Sequence, residues 1–281
     1  MDLFQAAVLG IIQGLTEFIP VSSSGHLDLI PRLLGWEQST TFIQFLHFGT
    51  LLSLLIYFRK QIVRYINVSL KILKKENLKR KQEKDLKVIR NVGITIIPAV
   101  IFGVLFESLI SKFYDNNDNR ELLILVVLVP LVLVGILFLF EERLFKNNKK
   151  EIDDLTPRDS LIVGLLQALA FIRGISRSGI TLLAAQAKGL KRVDAAEFSF
   201  LMSIPIITGT SLYSIYKLIK LPAEQLQSEI PLAIVGFIAS FISGLFAVNF
   251  LLRFLRSNSL RIFGLYRIIF AIIIFIVVFV A

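Results

Sequence analysis

Apolar positions in this chain gather into long runs rather than one-sided stripes. Six runs, over residues 41–58, 91–111, 121–140, 195–219, 231–254 and 262–281, are long enough, or nearly so, to cross a bilayer as helices, which takes about 20 apolar residues. Two more, residues 3–19 and 161–172, are shorter. Each runs into a helix breaker, Pro20 or Gly174, and then into Ser- and Gly-rich sequence. Neither run spans alone, so each predicts a helix that enters the membrane, breaks and returns.

The two short runs match one another at an offset of 154 residues: Gly10/Gly164, Gln13/Gln167, Leu15/Leu169, Ser22/Ser176, Ser24/Ser178 and Gly25/Gly179. Three long runs follow each. The pattern predicts an all-α polytopic membrane protein of two repeats, residues 1–150 and 151–281. In each, a re-entrant helical hairpin, residues 3–35 or 161–189, precedes three transmembrane helices. Three is odd, so the repeats are expected to be inverted and their hairpins to meet near the bilayer midplane.

Composition agrees: 55% of the 281 residues are hydrophobic and the mean hydropathy is +0.72, which excludes an ordinary soluble domain. The start, Met1-Asp2-Leu3-Phe4, lacks the basic residues of a secretory leader and reads as mature sequence. The net charge of +10 is concentrated in residues 59–90, where 12 Lys and Arg stand against Glu76, Glu83 and Asp85. That places the segment in the cytoplasm, where it serves as a topology anchor near anionic lipid rather than as a nucleic-acid site. Residues 143–158 and Arg256 and Arg261 then fall inside as well, while residues 112–120 and 221–230 fall outside. The absence of cysteine removes disulfides, thiolate metal sites and cysteine nucleophiles.

The hairpins carry the polar groups. In QGLTEFIPVSSSGHL, residues 13–27, Gln13 and Glu17 share a helix face, and Ser22, Ser23 and Ser24 after Pro20 are N-caps for a second short helix. His26 can share the face of Ser22 and Ser23. In FIRGISRSGIT, residues 171–181, Gly174 permits the break, Ser176 or Ser178 caps the next helix, and Arg177 and Thr181 lie four apart. Free N–H groups at a helix start, with hydroxyls and a guanidinium, suit phosphate. A charge at the centre of a membrane helix costs roughly 2.5 to 3.5 kcal/mol, so Glu17 and Arg177 need a reason to be there. An ion pair that only locks the hairpins is the simpler alternative; the surrounding hydroxyls and imidazole argue for a site. His47 lacks polar neighbours in sequence and reads as a hydrogen-bonded core or packing residue rather than a ligand. Glu197, Ser199 and Ser203 read as lining a path to the site, with Glu197 equally readable as a first-turn helix acid, and Trp36 as an interfacial anchor.

At QGLTEFIPVSSSGH and RGISRSGIT, with support from EFSFLMSIPIITGT at residues 197–210, the chain resembles the undecaprenyl-diphosphate phosphatases of the bacitracin-resistance type. The resemblance implies a cell-membrane enzyme that hydrolyses a polyprenyl diphosphate to the monophosphate and phosphate, recycling the carrier lipid for cell-wall synthesis. It also implies a divalent cation, Mg²⁺ or Ca²⁺, and a cleft opening outward. The partners expected are the lipid substrate and the bilayer, with a homodimer admissible. Carried over, the catalytic residues are Glu17, Ser23, His26 and Arg177. Gln13, Ser22, Ser176, Ser178, Thr181 and Arg173 bind substrate, and Glu17 with Gln13 positions the metal. Either Ser23 attacks with His26 as its base, or His26 activates water or is itself phosphorylated. Arg173 stands where the family commonly has proline, which alters the break and adds a cation. An inverted-repeat transporter or lipid flippase is the rival reading.

Overall fold

The computed structural model describes residues 1–115, 119–220 and 222–280. Among the described residues it is helical without a strand. The elements are α1 (Leu3–Phe18), α2 (Ser23–Leu34), α3 (Thr40–Tyr57), α4 (Arg59–Leu73), α5 (Arg80–Asp115), α6 (Arg120–Phe145), α7 (Pro157–Gln167), α8 (Arg177–Ala187), α9 (Arg192–Ile219), α10 (Ala223–Phe254) and α11 (Arg261–Phe279). Five helices, α5, α6, α9, α10 and α11, are long and apolar enough to cross a membrane. A sixth span results if α3 and α4, bent by 77° at Phe58, count as one. Among the described residues each apolar run expected to span thus lies in a helix, the last ending at Phe279.

Two expectations need correcting. Residues 59–90 are mostly helix rather than loop. Ile62, Ile66, Leu70 and Leu73 recur at helical spacing among the basic residues, so α4 is amphipathic and leaves Ile66, Leu70 and Leu73 exposed. Pro231 does not begin its helix; α10 starts at Ala223 and carries Pro231 inside it.

α1 and α2 form one hairpin, and α7 with α8 the other, joined through a 3₁₀ turn at Ala168–Phe171. α1 packs along α10 and α7 along α5; α3 meets α10 and α9 meets α5; α6 pairs with α11. The two breaks share a local geometry. Ser22 and Ser176 both sit at positive φ, 79° and 76°. Each caps its helix by accepting from the glycine three residues on, 3.2 Å in both cases, and each touches the serine two residues on. Gly174, at φ 94°, is required at the second break, because a Cβ there would run into the Val127 carbonyl of α6. The main core, around Phe18, Phe58, Phe138, Phe198 and Phe200, lies directly beneath the breaks, with Phe18 and Phe200 edge to face.

Candidate active site

The breaks bring groups from the two halves into contact. Glu17, near the end of α1 and buried, is the centre. One carboxylate oxygen, Oε1, accepts from Arg177 Nη2 at the start of α8. The other, Oε2, accepts from Ser23 Oγ at 2.8 Å and from Gln13 Nε2 at 3.1 Å. The carboxylate is therefore held on both edges, and Ser23 stands at the first turn of α2, where helix N–H groups lack intrahelical partners. Ser24 Oγ accepts from the Gly174 N–H at 3.4 Å, a second link between the hairpins.

Beside this cluster a cavity of about 380 Å³ is lined by Gln13, Ser23, Ser24, His47, Asp28 and Arg173, and reaches Trp36, Gln38 and Ser39 just before α3. The volume is that of a small-ligand pocket. Arg173 reaches into it and is held by Asp28 at 3.0 Å; Asp28 also holds Arg32 at 3.1 Å. Arg173 is thus anchored to α2 through Asp28.

Other expected members lie elsewhere. His26 turns its ring nitrogens to partners other than Ser23. Its Nδ1 donates to the Ser22 carbonyl at 2.8 Å, and its Nε2 accepts from the Tyr266 hydroxyl at 2.8 Å, which fixes the tautomer because a carbonyl can only accept. The ring is stacked on Phe270, centroids 4.2 Å apart. In this arrangement the imidazole is engaged by α11 and not by Ser23. Ser22 and Ser176 spend their hydroxyls as caps, and Ser178 contacts Ser176. The Thr181 hydroxyl is bonded to Ser199 Oγ at 2.6 Å and donates back to the Arg177 carbonyl, so it supports the α8–α9 contact under Arg177. Glu197 pairs with Gln61, away from the cluster.

Two residues escape the sequence reading. His47 is hydrogen-bonded as expected, its Nδ1 donating to the Ile43 carbonyl, but its Nε2 also lies 3.7 Å from Glu17 Oε2. Its polar neighbour is distant in sequence, so the surrounding FLHFGTL gave no sign of it. Arg267 is fully buried beneath both breaks. Its signal was present, a lone cation inside the apolar run 262–281, and the argument applied to Glu17 and Arg177 applies to it equally.

A cation would find oxygen here, since Gln13 Oε1 is buried without a hydrogen-bond partner beside the Glu17 carboxylate. Among the described residues no group of three or more His, Cys, Asp or Glu side chains is arranged to hold a metal. Gln13 and Glu17 therefore suit an ion that takes its remaining ligands from substrate and water, as Mg²⁺ does.

Residues 6–273 match the family model described as "Bacitracin resistance protein BacA". Among curated relatives, the undecaprenyl-diphosphatase of Thermodesulfovibrio yellowstonii is 38% identical over 281 residues, covering 99% of this chain and 98% of the relative. That of Pelobacter propionicus is 39% identical over 273 residues, 96% and 94% of the two chains, and that of Trichlorobacter lovleyi 38% over 269, 95% and 94%.

Proposed function

From the premise that this chain belongs to the bacitracin resistance protein BacA family, we propose how its paired breaks perform the family's chemistry. The chain is an integral membrane enzyme of the cell membrane. It hydrolyses undecaprenyl diphosphate to the monophosphate and inorganic phosphate, recycling the carrier lipid for cell-wall synthesis. We read its two halves as inverted repeats, a reading supported by the matched capping geometry at Ser22 and Ser176 and by the exchange of packing partners between the halves.

In our reading Ser23 is the nucleophile. The observation that carries this is its 2.8 Å hydrogen bond to Glu17, a carboxylate able to take its proton, whereas His26 is turned away. The diphosphate enters from the cavity and its terminal phosphoryl draws Arg177 off Glu17. Ser23 Oγ then bonds to that phosphorus and passes its proton to Glu17, and the bond to the bridging oxygen breaks, so polyprenyl monophosphate leaves. The proton on Glu17 passes to solvent. Water next attacks the phosphoserine, its oxygen bonding to phosphorus as the bond to Ser23 Oγ breaks. One of its protons returns through Glu17 to Ser23, and phosphate is released. Arg177 and the N–H groups opening α2 and α8 neutralise the charge that builds on the equatorial oxygens. A divalent cation held by Gln13 and Glu17 would bring Lewis-acid charge to the diphosphate. Arg173 and Arg32 at the mouth attract the anionic headgroup. The mouth lies at the N-terminal end of α3, opposite the basic α4, which supports access from the outer face.

The test is phosphate release from undecaprenyl diphosphate by purified protein in detergent, where no gradient exists and a transporter would release none. We expect turnover by the wild type, and a phosphoserine at residue 23 when the reaction is quenched early. Labelled phosphate on a histidine, or full turnover by Ser23→Ala, would sink the assignment of the nucleophile.

A further inference from the structure

We propose that Arg267 of α11 is the positioning residue that sets the spacing of the two helix starts around the phosphoryl group. This rests on the reading of the breaks as the diphosphate site. The Arg267 side chain is fully buried, and among the described residues no carboxylate lies within ion-pair distance of it. An unpaired buried cation is unfavourable unless its donors are satisfied. Those of Arg267 are satisfied by backbone carbonyls alone: Nε donates to Leu131 at 3.0 Å, Nη1 to Pro20 at 3.2 Å, and Nη2 to Gly174 at 2.6 Å, to Ile175 at 3.1 Å and to Pro130 at 3.4 Å.

These acceptors identify the task. Pro20 belongs to the first break, Gly174 and Ile175 to the second, and Pro130 and Leu131 to α6 behind both. Irregular backbone at membrane depth leaves carbonyls without partners, and one planar fork here answers for both breaks at once. Because its donors are fixed relative to one another, the guanidinium holds Pro20 and Gly174 at a set separation. The residues that follow each carbonyl, Ser22–Ser23 and Ser176–Arg177, carry the nucleophile and the phosphate clamp. The close approach of α11 to α6 that this needs is made at Gly264, where a Cβ would lie 2.6 Å from the Gly135 carbonyl. The neighbouring Tyr266 holds His26 of α2, so α11 grips the hairpins through two consecutive residues.

The Arg267→Lys variant keeps the charge but offers a single ammonium that cannot span both breaks. We expect it to insert and elute as the wild type does, with kcat for phosphate release lowered about 100-fold and KM changed less than about threefold, because the misplacement is felt in the transition state. In hydrogen exchange, peptides covering residues 20–26 and 173–180 should lose protection together, while α10 is unchanged. A variant with kcat within threefold of the wild type overturns the proposal, as does loss of protection at only one break. Activity lost solely in proportion to lost folded protein, with kcat per folded molecule intact, does so too. Should Arg267→Lys fail to fold, the wild type alone decides: methylenediphosphonate should protect both breaks in parallel, and protection of one without the other overturns the proposal. Full activity of Arg177→Ala would instead refute the diphosphate-site reading, so the two failures are distinguishable.

Discussion

Ser23 and Arg177 flank Glu17, one on each carboxylate oxygen, and their removal should have different signatures. Ser23→Ala takes away the attacking oxygen and should lower phosphate release about a thousandfold or more. Arg177→Ala takes away one donor to the phosphoryl oxygens and should lower it roughly 100- to 1,000-fold. Both are measured on purified protein at saturating lipid, and a rate within tenfold of the wild type for either contradicts the role given to it. At this scale the sequence was readable where charge interrupts an apolar run. Glu17 and Arg177 each declared themselves by being expensive in lipid, and their closeness followed from the matched breaks. His26 misled because its position beside the serines suggested a shared face, while Tyr266 and Phe270, far along the chain, claim its ring. His47 stayed hidden for the converse reason, since its acidic neighbour belongs to another helix.

At the scale of elements, the capped breaks make a prediction that reverses the usual order of substitutions. Ser176 combines a capping hydroxyl with φ of 76°, a region where a Cβ is disfavoured. Ser176→Ala loses the cap and keeps the strain, costing about 1 to 2 kcal/mol. Ser176→Gly loses the cap but relieves the backbone, and should cost only a few tenths. Thermal unfolding in detergent checks the order; alanine equal to or better than glycine would show that the positive φ at this position carries no strain for a Cβ. The breaks could be anticipated from Pro20 and Gly174 with the serines behind them. α4 could not be, because its twelve-cation neighbourhood dominates the composition and its apolar spacing emerges only once the chain is seen to turn by 77° after α3.

At the scale of the whole molecule, a second polar knot lies away from the site. Glu141 of α6 is fully buried and receives Arg192 Nε at 2.9 Å and Nη2 at 3.1 Å, Gln186 Nε2 at 2.5 Å and the Leu260 N–H at 3.4 Å. It joins α6, α8, α9 and the start of α11. Glu141→Ala takes the shared acceptor from a half-buried guanidinium and from the buried Gln186 amide, and should cost about 2 to 3 kcal/mol of stability. The melting temperature should fall while kcat per folded molecule is retained; an unchanged melting temperature would show the knot to be idle. No local motif announces this knot, whose members are spread from residue 141 to residue 260. The apolar runs, by contrast, disclosed the helices. The ion pair between Glu17 and Arg177 crosses the boundary between residues 1–150 and 151–281, so neither portion owns a complete reaction centre. Expressing the gene as two fragments, severed after Lys146, should therefore yield catalysis by complementation: none from either piece made singly, and recovery when both are produced in one cell.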